Sequence, residues 1–134
     1  MIYLHGNSSS RLEGLTLIEL LIPYDISLVL VDFVGCGLSE GEYISLGFYE
    51  KLDASLVIDQ VRAQFPITTF GIWGRSMGAS TAIQLGCMRK DIEFVVADSS
   101  FLNIKQLCEE IAKTQHKLPK FVVKLALYFV RRKI

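Results

Sequence analysis

Apolar residues along this chain fall into short continuous runs separated by longer stretches with a helical repeat. The runs are MIYLH (1–5), ISLVLVDF (26–33), TTFGIW (68–73) and EFVVAD (93–98), each apolar at successive positions rather than at every second one. Such runs predict strands buried on both faces, as in a parallel sheet held between helix layers. Between them, RLEGLTLIELL (11–21), FYEKLDASLVIDQVRAQF (48–65), MGASTAIQLGCM (77–88) and NIKQLCEEIAKTQ (103–115) predict helices, with Leu52, Leu56 and Val61 expected on one face of the second. After a break at HKLP, PKFVVKLALYFVRRK (119–133) predicts a last helix with Pro119 at its first position. The alternation predicts an α/β fold of about four parallel strands flanked by helices. A single domain over 1–134 is expected, with a core at 1–115 and a lid-like helical segment at 116–134.

One strand-to-helix junction carries chemistry. GRSMG (74–78) fits G-x-S-x-G, and so does GLSEG (37–41). The first begins at the end of a buried strand and opens directly into the small-residue helix start GASTA. A nucleophile elbow forces its serine into a strained backbone at such a turn, so the positions two before and two after must be nearly without side chains. Gly74 and Gly78 meet that need, and the helix N-terminus beneath Ser76 offers backbone N–H groups to a developing oxyanion. Ser39 lies in the glycine-rich stretch VGCGLSEGEY with no helix immediately after it, and reads as a loop serine. Ser76 is therefore the candidate nucleophile. The alternative for Ser76 is a tight turn with no chemistry.

An acyl-transfer site also needs an oxyanion hole and a base. YLHGNSSS follows the first strand and is similar to the loop of lipases and esterases that carries an oxyanion donor, which makes the backbone N–H groups of Asn7 and Met77 the candidate pair. The plainer reading of this stretch is a strand-to-helix connection in which Ser8, Ser9 or Ser10 caps a helix. Only two histidines exist. His5 precedes the serine and is expected to be held by local hydrogen bonds. Ser76, Asp98 and His116 stand in the chain order of a hydrolase triad, which makes Asp98 a candidate acid and His116 a candidate base. Against this, Asp98 has the ordinary role of bonding the turn ADSSF, and His116 lies between two helical patterns rather than after a strand.

Composition changes the picture in two places. The 14 basic and 14 acidic residues cancel, which argues against a nucleic-acid binder. The cancellation conceals an asymmetry: residues 1–110 hold all 14 acids against 7 bases, a net formal charge of −7, and the last 24 residues hold the other 7 bases. The basic, apolar segment 117–133 reads either as a cover over its own protein or as a weak membrane-surface contact. Cys36, Cys87 and Cys108 show no C-x-x-C and no metal-ligand spacing, so reduced thiols in a cytoplasmic protein are expected, with no metal and no cofactor. The opening MIYLHGN lacks the marks of a signal peptide. The longest apolar stretch (15–34) is interrupted by Glu19, Pro23, Asp25 and Asp32, so no spanning helix is expected either.

YLHGNSSSR, LVDFVGCGLSEGEYISLGFYEKLD, GIWGRSMGASTA, VVADSSF and LPKFVVKLALYFVRR together resemble the α/β-hydrolase superfamily, in its eukaryotic serine-aminopeptidase-like branch. The resemblance covers nearly the whole chain. It implies a partial α/β-hydrolase core equivalent to the family's third to sixth strands, with sheet order second, first, third, fourth. It also places Ser39 outside the catalytic set, in the loop after the family's fourth strand. The family's catalytic Asp and His come from loops after later strands, and no position here matches either motif. The resemblance thus implies a serine hydrolase of an ester, amide or thioester, with nucleophile and oxyanion hole present and general base absent. A small-molecule, lipid or peptide acyl substrate is its expected partner. The reading from a different class is a non-catalytic α/β-hydrolase-like remnant or interaction protein. A nucleotide-binding protein is a weaker third, since neither G-x-G-x-x-G nor G-x-x-x-x-G-K-[ST] is present. With two apolar edge strands, the isolated chain is expected to be poorly soluble or partly unfolded.

Overall fold

The computed structural model describes residues 1–114, which fall into two compact units, Met1–Ser100 and the segment from Phe101 onward. The first unit is built on a four-stranded parallel sheet of order β2-β1-β3-β4, the order that the family resemblance implies. The strands are β1 (Ile2–Leu4), β2 (Val29–Val31), β3 (Phe70–Arg75) and β4 (Ile92–Asp98). Between the strands lie α1 (Ile18–Leu21), α2 (Glu50–Gln64) and α3 (Met77–Met88). Because all strands run the same way, the chain leaves each of them at one edge of the sheet. His5, Asp32, Ser76 and Ser99 are the first residues past those ends.

Side-chain alternation along β1 and β3 sorts the core into two layers. Ile2, Leu4, Phe70 and Ile72 join Ala54, Ile58 and Val61 of α2 and Met77, Ala82 and Leu85 of α3. Tyr3 and Trp73 point the other way, against Leu17, Leu21 and Leu30. Both central strands are thus covered on two faces, as their unbroken apolar runs predict. The outer strand β4 is not. β4 alternates between half-buried and exposed positions, with Phe94 46% exposed, although its sequence reads like that of an interior strand.

Two expectations need correction. Leu52 and Leu56 do not share the buried face of α2 with Val61: they are 46% and 68% exposed, and the buried stripe is Ala54, Ile58 and Val61. Val61 follows Leu52 by nine positions, which at about 100° per residue puts it on the opposite side. Nor is 11–21 one continuous α-helix. Arg11–Leu17 is a 3-10 turn and only Ile18–Leu21 is α-helical, followed by a second 3-10 turn, Ile22–Tyr24, that ends at Asp25 with φ 56°. Gly14 lies so close to the Leu30 and Tyr3 side chains that a Cβ there would overlap them. The close approach to the sheet accompanies the tighter winding.

Arg89, just past α3, ties the helix layer together by donating to Ser55 Oγ (2.9 Å) and pairing with Asp59 (2.8 Å) and Asp91 (2.6 Å). In the second unit, α4 (Ile104–Thr114) begins where Asn103 Oδ1 accepts the Gln106 N–H at 2.8 Å. Among the described residues no helix is long and apolar enough to cross a membrane. The expected helix at 119–133, with its lid-like and membrane-surface readings, lies outside the described residues.

Candidate active site

Ser76 joins β3 to α3 with φ 53° and ψ −110°, a conformation that L residues rarely adopt. Its N–H donates to the Asp98 carbonyl at 2.8 Å, and its own carbonyl accepts the Ser80 N–H at 3.1 Å, so the residue belongs to sheet and helix at once. The flanking glycines allow the turn by their size. A Cβ on Gly78 would collide with the Leu4 carbonyl and stand 2.8 Å from that of His5; one on Gly74 would collide with the Gly78 carbonyl and stand 2.6 Å from Ala79 N. The start of α3 is therefore pressed against the ends of β1 and β3.

The loop after β1 passes beside this turn. A Cβ built on Gly6 would lie 3.6 Å from both Ser76 Cβ and the Arg75 carbonyl, which puts Gly6 and the following Asn7 in the immediate neighbourhood of Ser76. Met77 is fully buried as the first residue of α3, where a backbone N–H has no partner within its own helix. Gly6, just before Asn7, and Met77 thus adjoin Ser76 from two segments. Ser10 also caps the 3-10 turn, its Oγ accepting the Leu12 N–H at 3.4 Å, so the loop holds a cap and the candidate donor together.

His5 is fully buried, and both ring nitrogens are engaged. The Phe33 N–H can only donate, so Nε2 accepts it (3.3 Å) and Nδ1 carries the proton that bonds the Gly6 carbonyl (2.7 Å). The ring also lies 5.0 Å from that of Phe33. Asp98 is exposed, and its carboxylate accepts the Ser99 hydroxyl at 2.7 Å. His116 lies outside the described residues. Ser39 is held in a loop: its hydroxyl donates to the Asp32 carbonyl at 2.9 Å and its N–H to the Cys36 carbonyl at 3.0 Å.

The family model described as "Serine aminopeptidase, S33" matches residues 1–132. The chain belongs to that family of α/β-hydrolases. Among solved structures, the Pyrococcus furiosus esterase Pf2001 superposes with a TM-score of 0.80 at 30% identity, covering 96% of this chain and 53% of that one. A monoacylglycerol lipase from Paleococcus ferrophilus shares the fold with a TM-score of 0.63 at 24% identity, over 85% of this chain and 46% of the lipase. The uncharacterised protein YqkD of Bacillus subtilis (strain 168) is 27% identical over 98% of this chain and 44% of its own. The chain thus spans about half the length of these relatives.

Within this hydrolase core, several carboxylates that the motifs do not mark hold the loops in place. Glu13 accepts the Gly6 N–H at 2.9 Å and pairs with Arg75. Asp32, nearly buried, accepts the Arg11 N–H (2.6 Å) and the Leu38 N–H (3.0 Å) and pairs with the Arg11 guanidinium. Glu50 accepts the N–H groups of Ser45 (2.7 Å) and Gly47 (2.8 Å) and the Ser45 hydroxyl. Burial pushes each of these three acids up, but the hydrogen bonds, joined by the cations beside Glu13 and Asp32, outweigh it and hold all three below the usual carboxylate range. Asp32 had a local signal, an acid at a strand end before the glycines of VGCG. Glu13 had none. Cys36 is buried, and burial, then the charges of Glu50 and Asp32, push its thiol up, away from the reactive thiolate. Among the described residues no three His, Cys, Asp or Glu side chains are placed to hold a metal ion.

Proposed function

We propose that this protein is a serine hydrolase that cleaves an ester, amide or thioester through an acyl-enzyme on Ser76. The observation that carries the reading is the backbone of Ser76 itself. A serine at φ 53° and ψ −110° between strand and helix, with glycines where side chains would collide, is the strained presentation that a nucleophile elbow requires. In the reaction, Ser76 Oγ attacks the acyl carbonyl carbon and loses its proton to a base. The carbonyl oxygen, now negative, takes hydrogen bonds from the Asn7 and Met77 N–H groups. The leaving group departs with a proton, and water then releases the acid and regenerates Ser76.

The base is not His5, whose two nitrogens are already engaged. His116 is the other histidine of this chain and follows Ser76 and Asp98 in the order a triad requires, which makes Asp98 and His116 the pair to test here. Should that pair not supply the base, only positioning and oxyanion stabilisation remain, and turnover by these 134 residues is expected to be low. The likeness to an esterase and a lipase supports a small-molecule or lipid acyl ester as the first substrate to try. Cytoplasmic residence, supported by three free cysteines, belongs to the same proposal.

Labelling by a fluorophosphonate probe tests it. The probe should attach to Ser76, disappear in Ser76→Ala and persist in Ser39→Ala. Equal labelling of Ser76→Ala overturns the assignment. No labelling of the unsubstituted chain favours the second reading, a non-catalytic member of the fold, for which the engagement of His5 already speaks.

A further inference from the structure

The remaining polar groups around the site converge on one residue. Glu13 lies in the 3-10 turn after the β1 loop, and its carboxylate reaches two segments that are far apart in sequence. One oxygen, Oε2, accepts the N–H of Gly6, the residue before Asn7. The other, Oε1, pairs with Nε of Arg75, the residue before Ser76.

What this clamp governs follows from peptide geometry. The Gly6 carbonyl and the Asn7 N–H belong to one planar trans unit and point in opposite directions, so fixing the carbonyl aims the N–H. That carbonyl is held by His5 Nδ1 (2.7 Å) and the Ser9 N–H (3.3 Å). On its other side Gly6 is held through its own N–H by Glu13 (2.9 Å). Glycine has no side chain to limit its dihedrals, so without such bonds the Asn7 N–H would sample many directions. The ion pair adds little as an attraction, because Arg75 is 48% exposed. Its contribution is geometric: the Glu13 side chain is only 16% exposed and touches both the donor loop and the elbow.

Building on the serine-hydrolase reading above, we propose that Glu13 is a positioning residue for acyl transfer, setting the Asn7 donor against Ser76 through Gly6 and Arg75. Glu13 does not touch the substrate. A variant that releases the Gly6 N–H should slow attack by Ser76 without dismantling the sheet.

The test compares the fluorophosphonate labelling rate of Ser76 in the 134-residue chain with that in Glu13→Ala and Glu13→Gln, alongside amide exchange of residues 6–9. Glu13→Ala should label about tenfold to a hundredfold more slowly, the scale of a misplaced catalytic group. Glu13→Gln keeps an oxygen that can accept the Gly6 N–H and should recover part of the rate. Exchange at 6–9 should speed up in Glu13→Ala while β1 and β3 stay protected. Labelling of Glu13→Ala within about twofold of the unsubstituted chain, or equal loss of protection in the strands, overturns the proposal. If Glu13→Ala does not fold, Glu13→Gln decides: a rate between about a third and a tenth of the original supports the proposal, and an unchanged rate refutes it. An unsubstituted chain that is not labelled at Ser76 removes the serine-hydrolase reading and this inference with it. Labelling that is insensitive to Glu13 removes only the inference.

Discussion

At 74–78 the serine carries the positive φ (53°) and the two glycines do not; at 37–41 Gly37 and Gly41 carry positive φ (57° and 115°) and the serine does not. Both stretches read G-x-S-x-G, but the glycines serve different ends. In the elbow they make room, because β1, β3 and the start of α3 crowd against one another. In the loop they supply the left-handed backbone that turns the chain between Asp32 and Glu42. Ser76 is held by its backbone, through Asp98 and Ser80, whereas Ser39 spends its hydroxyl on the Asp32 carbonyl. A motif that fixes residue types does not fix which residue bears the strain.

The sharpest way to break this contrast is Gly78→Ala. The added Cβ meets the Leu4 carbonyl, a backbone atom inside the central strand that cannot swing aside. A loss of about 3 kcal/mol or more is expected in chemical denaturation, with β1 and α3 losing protection together. A substitution here that left stability unchanged would show the crowding argument to be mistaken.

Acid should separate the two regions next. Asp32 and Glu50, which hold the loop around Ser39, titrate lower in the folded than in the unfolded chain. Their contribution is complete above the unfolded carboxyl values, about 3.9 and 4.3, and is lost as pH falls through the lower folded values. The Ser76 turn is held by backbone contacts, with Glu13 reaching it only through the exposed Arg75 side chain. Amide exchange between about pH 4 and pH 2 should therefore rise first at 37–47 and later at 74–80. The reverse order would mean that the carboxylates do not carry the loop.

Smaller effects should come from the serines. Ser76→Gly relieves the strained φ and is expected to stabilise the protein by about 1 kcal/mol while abolishing labelling, a gain in stability at the cost of chemistry. Ser39→Ala removes one exposed hydrogen bond and should cost about 0.5–1 kcal/mol without touching the labelling rate. A rise in melting temperature for Ser39→Gly to match that of Ser76→Gly would erase the distinction drawn here.

Much of this was legible in the sequence, for identifiable reasons. The four apolar runs correspond to the four strands, and MGASTAIQLGCM coincides with α3, because burial on two faces and a strand followed by small residues leave strong local marks. The edge positions of β2 and β4 came from the family resemblance, since their composition alone reads as interior. Leu52 and Leu56 are large and apolar, yet the face of α2 that packs on the core is the opposite one, carrying the small Ala54. Size suggested burial, whereas the helical spacing of Ala54, Ile58 and Val61 marks the face that packs.

By itself the sequence determined roughly where the strands lie, which serine sits between strand and helix, and that the residues around it must be small. These follow from local spacing, since the backbone reads its own neighbours. The tertiary structure alone decided what those residues meet. It set Gly78 against Leu4, left the proton of His5 on Nδ1 by bringing the Phe33 N–H to Nε2, and joined Glu13 to Arg75 across 62 positions. Such contacts depend on which strands pair and in what register, and no stretch of sequence carries that information until the sheet assembles.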